Sequence, residues 1–308
     1  MKKRNNNQIH IASKQGLVVL LLVFLGLIFM TGCKTEKEYE TFDFFLENDR
    51  GTYTYGELVM PVQEEPCPLV FMAHGFKGTR NSGGAKELSE RLAAEGIAAV
   101  RIDFNSYQFA EKESPKTEAY TLSNMAADGV MTINYVVENY QIDPDRIAIH
   151  GRSMGGRVAM IMGNESKGGI DFKALSLVAP AGNDTAMVYY MGGKERWEEM
   201  KQTAAADGFV EKQTLRLSPQ WFADFEAYNP AKTGDQFGEK PVLVFYNTLD
   251  HVVLPETSKE CAAGYANVEV IEVTTEDGHG YEMGYEVSPL KDQIMEKIVA
   301  FFVEHLQA

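Results

Sequence analysis

Cysteine is scarce in this chain of 308 residues, which has only Cys33, Cys67 and Cys261. No two of them stand in Cys-x-x-Cys spacing, no His-Glu-x-x-His occurs, and His and Asp do not cluster as ligands would, so no metal site is expected. So few thiols in so long a chain build no disulfide framework. Gly278, Gly280 and Gly284 do not form a dinucleotide fingerprint and lie in the wrong part of the chain for one, and no Walker-type loop is present. No cofactor is therefore expected. Long apolar runs are missing too: Gly16 to Met30 gives about 15 residues, short of the roughly 20 that span a bilayer. Positive charge is in deficit, with 29 Lys+Arg against 44 Asp+Glu. Such a surface repels phosphate backbones and argues against nucleic-acid partners. There is no internal repeat of the solenoid or propeller kind.

What is present at the N-terminus is a basic start, Lys2, Lys3, Arg4 and Lys14, followed by that short apolar run. This is the layout of a secretory signal peptide. The run ends in Met30-Thr31-Gly32-Cys33, which resembles a bacterial lipobox, with Met30 where Leu is more usual. The expected organisation is a lipoprotein signal peptide and lipobox over 1–33, with Cys33 lipidated, a tether over 34–40, and one domain over 41–308. The alternative is a single transmembrane anchor. In either case the domain sits outside the cytoplasm on a bacterial cell membrane. Removing residues 1–32 takes away four basic and no acidic residues, leaving 25 Lys+Arg against 44 Asp+Glu. A lipid, not a basic patch, is then the means of attachment. Cys67 and Cys261 are expected as buried thiols.

The hydrophobic fraction of 44% and aromatic fraction of 11% belong to a globular domain with a core. Thr41–Leu46 and Gly51–Val62 alternate aromatic and β-branched residues around a turn and predict an antiparallel hairpin. Beyond Pro68 the pattern changes to short continuous apolar runs: Leu69–Ala73, Ile97–Phe104, Arg146–His150, Phe172–Val178, Val242–Tyr246 and Val268–Val273. Between and after them, Ser82–Glu95, Leu122–Tyr140, Gly156–Met162 and Ser288–His305 have helical spacing. Continuous apolar strands alternating with helices predict an α/β fold with a mostly parallel sheet covered on both faces, and ligands at the strand C-termini. The alternation breaks over about 181–240, rich in Met, Trp, Tyr and charge, where a helical insertion is expected to cap that edge.

The turn after the third apolar run reads Gly151-Arg152-Ser153-Met154-Gly155-Gly156. It fits the nucleophile-elbow pattern G-x-S-x-G, in which a serine on a tight strand-to-helix turn needs neighbours without bulky side chains. The pattern alone is ordinary; an apolar strand running in and a helix running out give it weight. Ser153 is the expected nucleophile, with the Met154 amide at the helix N-terminus as one oxyanion donor. The expected base is His279, in Glu276-Asp277-Gly278-His279-Gly280-Tyr281, a loop flexible enough to swing its imidazole to the serine; His74 and His251 are alternatives. The expected acid is Asp250, at the end of an apolar strand, with Asp184 as fallback and a plain turn aspartate near Pro255 as the bland reading. A second oxyanion donor is expected from the Phe76 amide in Ala73-His74-Gly75-Phe76, where Gly75 allows close approach.

Strand-His-Gly-Phe, then Gly-Arg-Ser-Met-Gly-Gly, Asp250 and His279 in this order resemble the α/β-hydrolase superfamily. The resemblance covers roughly Thr41 to the C-terminus and is nearest to bacterial cinnamoyl/feruloyl esterases and serine-peptidase-like hydrolases. The intervals, 97 residues from Ser153 to Asp250 and 29 on to His279, are similar to theirs. It implies an α/β-hydrolase fold with a helical cap and a serine carboxylic-ester hydrolase acting through an acyl-enzyme on a small-molecule ester or acyl substrate. A peptidase or thioesterase on the same triad is the alternative, and a non-catalytic binding lipoprotein the rival of another class. One departure stands out: where those esterases carry a glycine-rich Asp-Phe-x-Gly-x-Gly-x-Ser, this chain reads Asp103-Phe104-Asn105-Ser106-Tyr107-Gln108-Phe109. Aromatic residues of the cap, with Tyr107 and Tyr281, are expected to line an acyl or aryl pocket. The sequence is silent on oligomeric state.

Overall fold

The computed structural model describes residues 38–104, 119–212 and 215–307, which fall in one unit spanning Lys37–Ala308. Residues 1–33 with Cys33, most of the tether, and Tyr107 lie outside the described residues. No helix among the described residues is long and apolar enough to cross a membrane.

The N-terminal hairpin forms from β1 (Tyr39–Glu47) and β2 (Tyr53–Pro61), paired antiparallel. It joins a parallel set made of β3 (Cys67–Ala73), β4 (Ala98–Asp103), β5 (Ile142–Arg152), β6 (Leu175–Val178), β9 (Val242–Asn247) and β10 (Val268–Val273). Together they make one eight-stranded sheet in the order β1-β2-β4-β3-β5-β6-β9-β10, mostly parallel as the apolar runs predict. The strand period of two explains its double covering. Leu69, Phe71 and Ala73 of β3 join one core cluster, while Val70 and Met72 join the other.

Helices α1 (Ala85–Ala94) and α8 (Pro289–Leu306) pack on the second face through Leu88, Leu92, Ile294, Ile298 and Phe302. On the first face lie α2 (Leu122–Asn139) and α3 (Met154–Asn164). Thr121 caps α2 by accepting the Asn124 amide, and Ser288 caps α8 by accepting that of Lys291, with Pro289 opening the helix. Helix α7 (Pro255–Ala263) bridges β9 and β10. Chain order reverses beside β3, whose neighbours are β4 on one side and β5 on the other. The crevice beyond the C-termini of β3 and β5 is thus a topological switch point, the place where open α/β sheets bind ligands.

Between β6 and β9 the expected insertion contains α4 (Ala186–Tyr190), α5 (Lys194–Asp207) and α6 (Pro219–Ala227). It also carries a two-stranded ribbon, β7 (Val210–Lys212) with β8 (Leu215–Leu217), which the helical reading missed. Trp197, Trp221, Phe222 and Phe225 stack on one another as the insertion's own core, with Trp221 and Phe225 4.4 Å apart between centroids. Arg157, fully buried on α3, fastens the insertion to the helix behind the elbow. It donates to the carbonyls of Asn183 (2.7 Å), Phe225 (2.9 Å) and Tyr228 (3.1 Å). Its pKa is lowered by burial to about 10, so the charge persists at neutral pH and is satisfied by peptide dipoles.

Candidate active site

Strand β5 ends directly in the elbow. Ser153 has φ 56 and ψ −123, a left-handed backbone that costs a residue with a side chain energy. Neighbouring glycines permit it. A Cβ on Gly155 would stand 2.2 Å from the Ala73 carbonyl oxygen, and one on Gly151 2.4 Å from that of Gly155. The strained serine therefore persists because α3 and β3 pack closer than any side chain would allow. The amide of Met154 is the first of α3, where the helix dipole favours developing negative charge.

The loop after β3 lies over the serine. A Cβ on Gly75 would stand 3.2 Å from the Ser153 Cβ, so glycine sets how near the Phe76 amide comes. His74 holds this loop: its Nδ1 hydrogen-bonds the Gly75 carbonyl (2.8 Å) and its Nε2 accepts the Phe104 amide (3.1 Å). With both nitrogens engaged and burial lowering its pKa, His74 is a neutral brace and not a base.

His279 Nδ1 hydrogen-bonds Asp250 Oδ2 at 2.7 Å, with the Asp250 side chain 1% exposed and that of His279 21%. The other Asp250 oxygen accepts the amides of Val252 (2.8 Å) and Val253 (3.0 Å). The turn-capping role and the pairing role thus fall on one carboxylate, one oxygen each. Ser153 and His279 line the same two cavities. A hydrogen bond from the Ser153 hydroxyl to the ring is not formed among the described residues; such contacts commonly tighten only when substrate is seated. Asp184, the fallback acid, is exposed and pairs with Lys232, and His251 is exposed.

The loop carrying His279 is fastened, contrary to the swinging loop expected. Asn247, buried at the end of β9, donates through Nδ2 to the carbonyls of Thr275 (2.9 Å) and Gly278 (2.8 Å) and accepts the Thr275 amide (3.0 Å). From below, Arg152 donates through Nη2 to the carbonyls of His279 and Gly280. Sequence reasoning missed both residues. Asn247 carried a readable signal, an amide side chain at a strand end before a turn; Arg152 was passed over as the free position of the elbow pattern.

Tyr281 is corrected. It is fully buried, its hydroxyl accepts the Asn247 amide at 2.7 Å, and it lines neither cavity. Burial pushes its phenol pKa up. Its φ is 55, and through its bond to Asn247 the side chain braces the residue that fastens the His279 loop. The aromatic residues of the insertion are corrected in part. Ala181, Ala186, Met187 and Tyr190, with Phe76, Val252 and Val253, line a cavity of about 110 Å³ beside Ser153, while the two tryptophans stay in the insertion's interior. A second cavity of about 250 Å³ lies on the other side, among His74, Lys77, Arg80, Gly83, His150 and Arg152. Among the described residues no cluster of His, Cys, Asp or Glu could hold a metal ion. Cys67 and Cys261 are free and buried.

Residues 66–179 match the family model described as alpha/beta hydrolase domain. Over 99 residues the chain is 32% identical to the quorum-quenching protein AidA of Acinetobacter baumannii, covering 32% of each chain. Over 101 residues it is 30% identical to the cutinase est2 of Thermobifida alba, covering 33% of this chain and 31% of that one. The chain thus spans about a third of the length of these curated relatives. Among solved structures, Est1E from Butyrivibrio proteoclasticus, described with ferulic acid bound, superposes with a TM-score of 0.68 at 20% identity, covering 86% of this chain and all of that one. The α/β hydrolase GrgF from Penicillium sp. sh18 does so with a TM-score of 0.68 at 15% identity, covering 87% of this chain and all of that one. With its mostly parallel eight-stranded sheet, its elbow between β5 and α3 and these likenesses, the chain has the α/β-hydrolase fold.

Proposed function

We propose that the protein is a serine carboxylic-ester hydrolase acting on small esters with a short acyl group. The observation that carries this reading is the strained Ser153 at the start of α3, sharing cavity walls with a His279 that is hydrogen-bonded to a buried Asp250. Ser153 Oγ attacks the ester carbonyl while His279 takes its proton, and the oxyanion is held by the amides of Phe76 and Met154. The carbon–oxygen bond to the leaving alcohol then breaks as His279 returns the proton to it. Water, deprotonated by His279, attacks the acyl-enzyme, and the acid leaves as Ser153 regains its proton. Asp250 fixes the tautomer and steadies the imidazolium. The 110 Å³ cavity, with its apolar walls of Ala181, Ala186, Met187, Val252 and Val253, suits a short acyl group. The name cutinase, printed for the similar chain of Thermobifida alba, agrees with this reading.

The test is hydrolysis of 4-nitrophenyl acetate by the wild type and Ser153→Ala, with fluorophosphonate labelling of Ser153. Turnover that survives Ser153→Ala would sink the proposal. On the composition of residues 1–33 we place the enzyme on the outer face of the bacterial cell membrane through lipid on Cys33. Incorporation of a palmitate analogue that persists in Cys33→Ala would overturn that placement.

A further inference from the structure

The 250 Å³ cavity on the far side of Ser153 has a charge that nothing in the triad mechanism uses. Its charged lining residues are Lys77, Arg80 and Arg152, and no Asp or Glu is among them, in a chain where acidic residues outnumber basic ones 44 to 29. Arg80 is neutralised by Asp103 at 2.6 Å. Arg152 is different. Among the described residues no carboxylate forms an ion pair with it, its Nε is shut from solvent without a hydrogen-bond partner, and its only hydrogen bonds run from Nη2 to two carbonyls. Nη1 makes none. It lies against Gly83, where a Cβ would come within 2.5 Å of it, and Gly83 and Arg152 both line the cavity. His150 beside it is held neutral, its pKa lowered to about 4 by burial and by the Arg152 charge. The carboxylates that act on Arg152 through space, Asp250 and Asp277, are engaged elsewhere, by His279 and by the Glu282 amide, and burial outweighs them and lowers its pKa; an anionic ligand group in the cavity offsets that cost of burial.

We infer that this cavity is a subsite for a carboxylate on the leaving-group side of the substrate, bound by Arg152 Nη1. The inference rests on the ester-hydrolase reading above, in which the acyl group occupies the apolar 110 Å³ cavity and the alcohol portion the cationic one. The substrate class is then a short-chain acyl ester of a hydroxy acid, whose free carboxylate lies a few bonds from the ester oxygen.

The experiment compares 3-carboxyphenyl acetate with its uncharged methyl ester, each rate normalised to alkaline hydrolysis, using the full-length protein in detergent. The expected kcat/KM favours the charged ester about tenfold, the size of one charge-assisted hydrogen bond. In Arg152→Met that preference falls to within about twofold. Arg152 also steadies His279, so both absolute rates drop in the variant; the ratio alone reads the subsite. A wild-type ratio near one, with the neutral ester turned over normally, overturns the inference and leaves the hydrolase reading standing. Neither ester cleaved and no labelling of Ser153 overturns the hydrolase reading instead. Binding is then read without chemistry, by calorimetric titration of 3-hydroxybenzoate into Ser153→Ala with and without Arg152→Met. The Kd should weaken at least fivefold; an unchanged Kd, or no binding at all, rejects the subsite.

Discussion

Arg152, the residue before Ser153, donates a hydrogen bond to the main-chain carbonyl of His279, the residue that pairs with Asp250. The end of β5 thus both carries Ser153 and fastens the backbone of His279, 126 positions further along the chain. Because the guanidinium fixes the backbone and not the ring, its loss should displace the imidazole without removing it. Arg152→Met is expected to lower kcat for a neutral ester about 10- to 100-fold with KM little changed, since small misplacement of a catalytic group has costs of this order. Arg152→Lys, keeping one donor, should recover part of the loss. Steady-state kinetics on 4-nitrophenyl butyrate decides it; equal kcat in all three proteins would remove Arg152 from the positioning of the base.

Asp250 divides its oxygens between two tasks, and the division can be separated experimentally. Asp250→Asn retains an oxygen for the Val252 and Val253 amides but offers Nδ1 of His279 an amide group in place of a carboxylate. The fold should stay within about 1 kcal/mol of the wild type, while kcat falls on the order of 10³- to 10⁴-fold from the wrong tautomer. Asp250→Ala loses both tasks and should also lower the melting temperature. Thermal unfolding alongside kinetics separates the two variants.

How much of this was legible beforehand follows from the range of the interactions concerned. Strand β10 is legible at its limits, Val268–Val273, because four Val and Ile residues interrupted only by Glu269 and Glu272 are a local β-branched pattern, although as an edge strand it is not buried. Strand β5 was read short, from Arg146, because its first residues Ile142–Arg146 are mostly polar and pair only at the sheet's entry. Ser153, Asp250 and His279 were singled out by local motifs and their order, and the structure brings Asp250 and His279 into a hydrogen bond and places Ser153 on the same cavity walls as His279. The hub at Asn247 and the clamp at Arg152 did not, since each acts on carbonyls about 30 and 127 residues away, and carbonyl acceptors leave no trace in residue type. Tyr281 was misread for the same reason: its buried hydroxyl accepts the main-chain amide of Asn247, 34 residues away.

The small cavity makes a claim about chain length. Met187 and Tyr190 of α4 form its outer wall against Val252, Val253 and Phe76. Removing the Met187 side chain beyond Cβ takes away Cγ, Sδ and Cε and opens that much space. The kcat/KM optimum across 4-nitrophenyl acetate, butyrate, hexanoate and octanoate should therefore move from the short esters to hexanoate or octanoate in Met187→Ala. The gain per added methylene is limited to about 0.8 kcal/mol, or roughly fourfold. An unshifted optimum would place the acyl group elsewhere.

His150 predicts a pH dependence of stability. It is 7% exposed, with Nδ1 3.2 Å from Ser176 Oγ, and burial, then the neighbouring Arg152 charge, lower its pKa from 6.5 to about 4. In the unfolded chain the imidazole takes up a proton near pH 6.5, while the folded protein declines it until about 4. Over that window the unfolded state binds more protons, so stability is full above about pH 7 and falls as pH drops. The loss reaches about 2 kcal/mol by pH 5 and roughly 3 kcal/mol by pH 4, at 1.36 kcal/mol per unit. His74, whose pKa burial also lowers, adds to the slope with the same sign but is present in both proteins compared. Urea unfolding of wild type and His150→Gln at pH 7.0 and 5.0 isolates the residue, because the carboxylates contribute equally to each. The wild type should lose about 2 kcal/mol more than the variant between the two pH values; equal losses would mean that His150 is protonated in the folded protein.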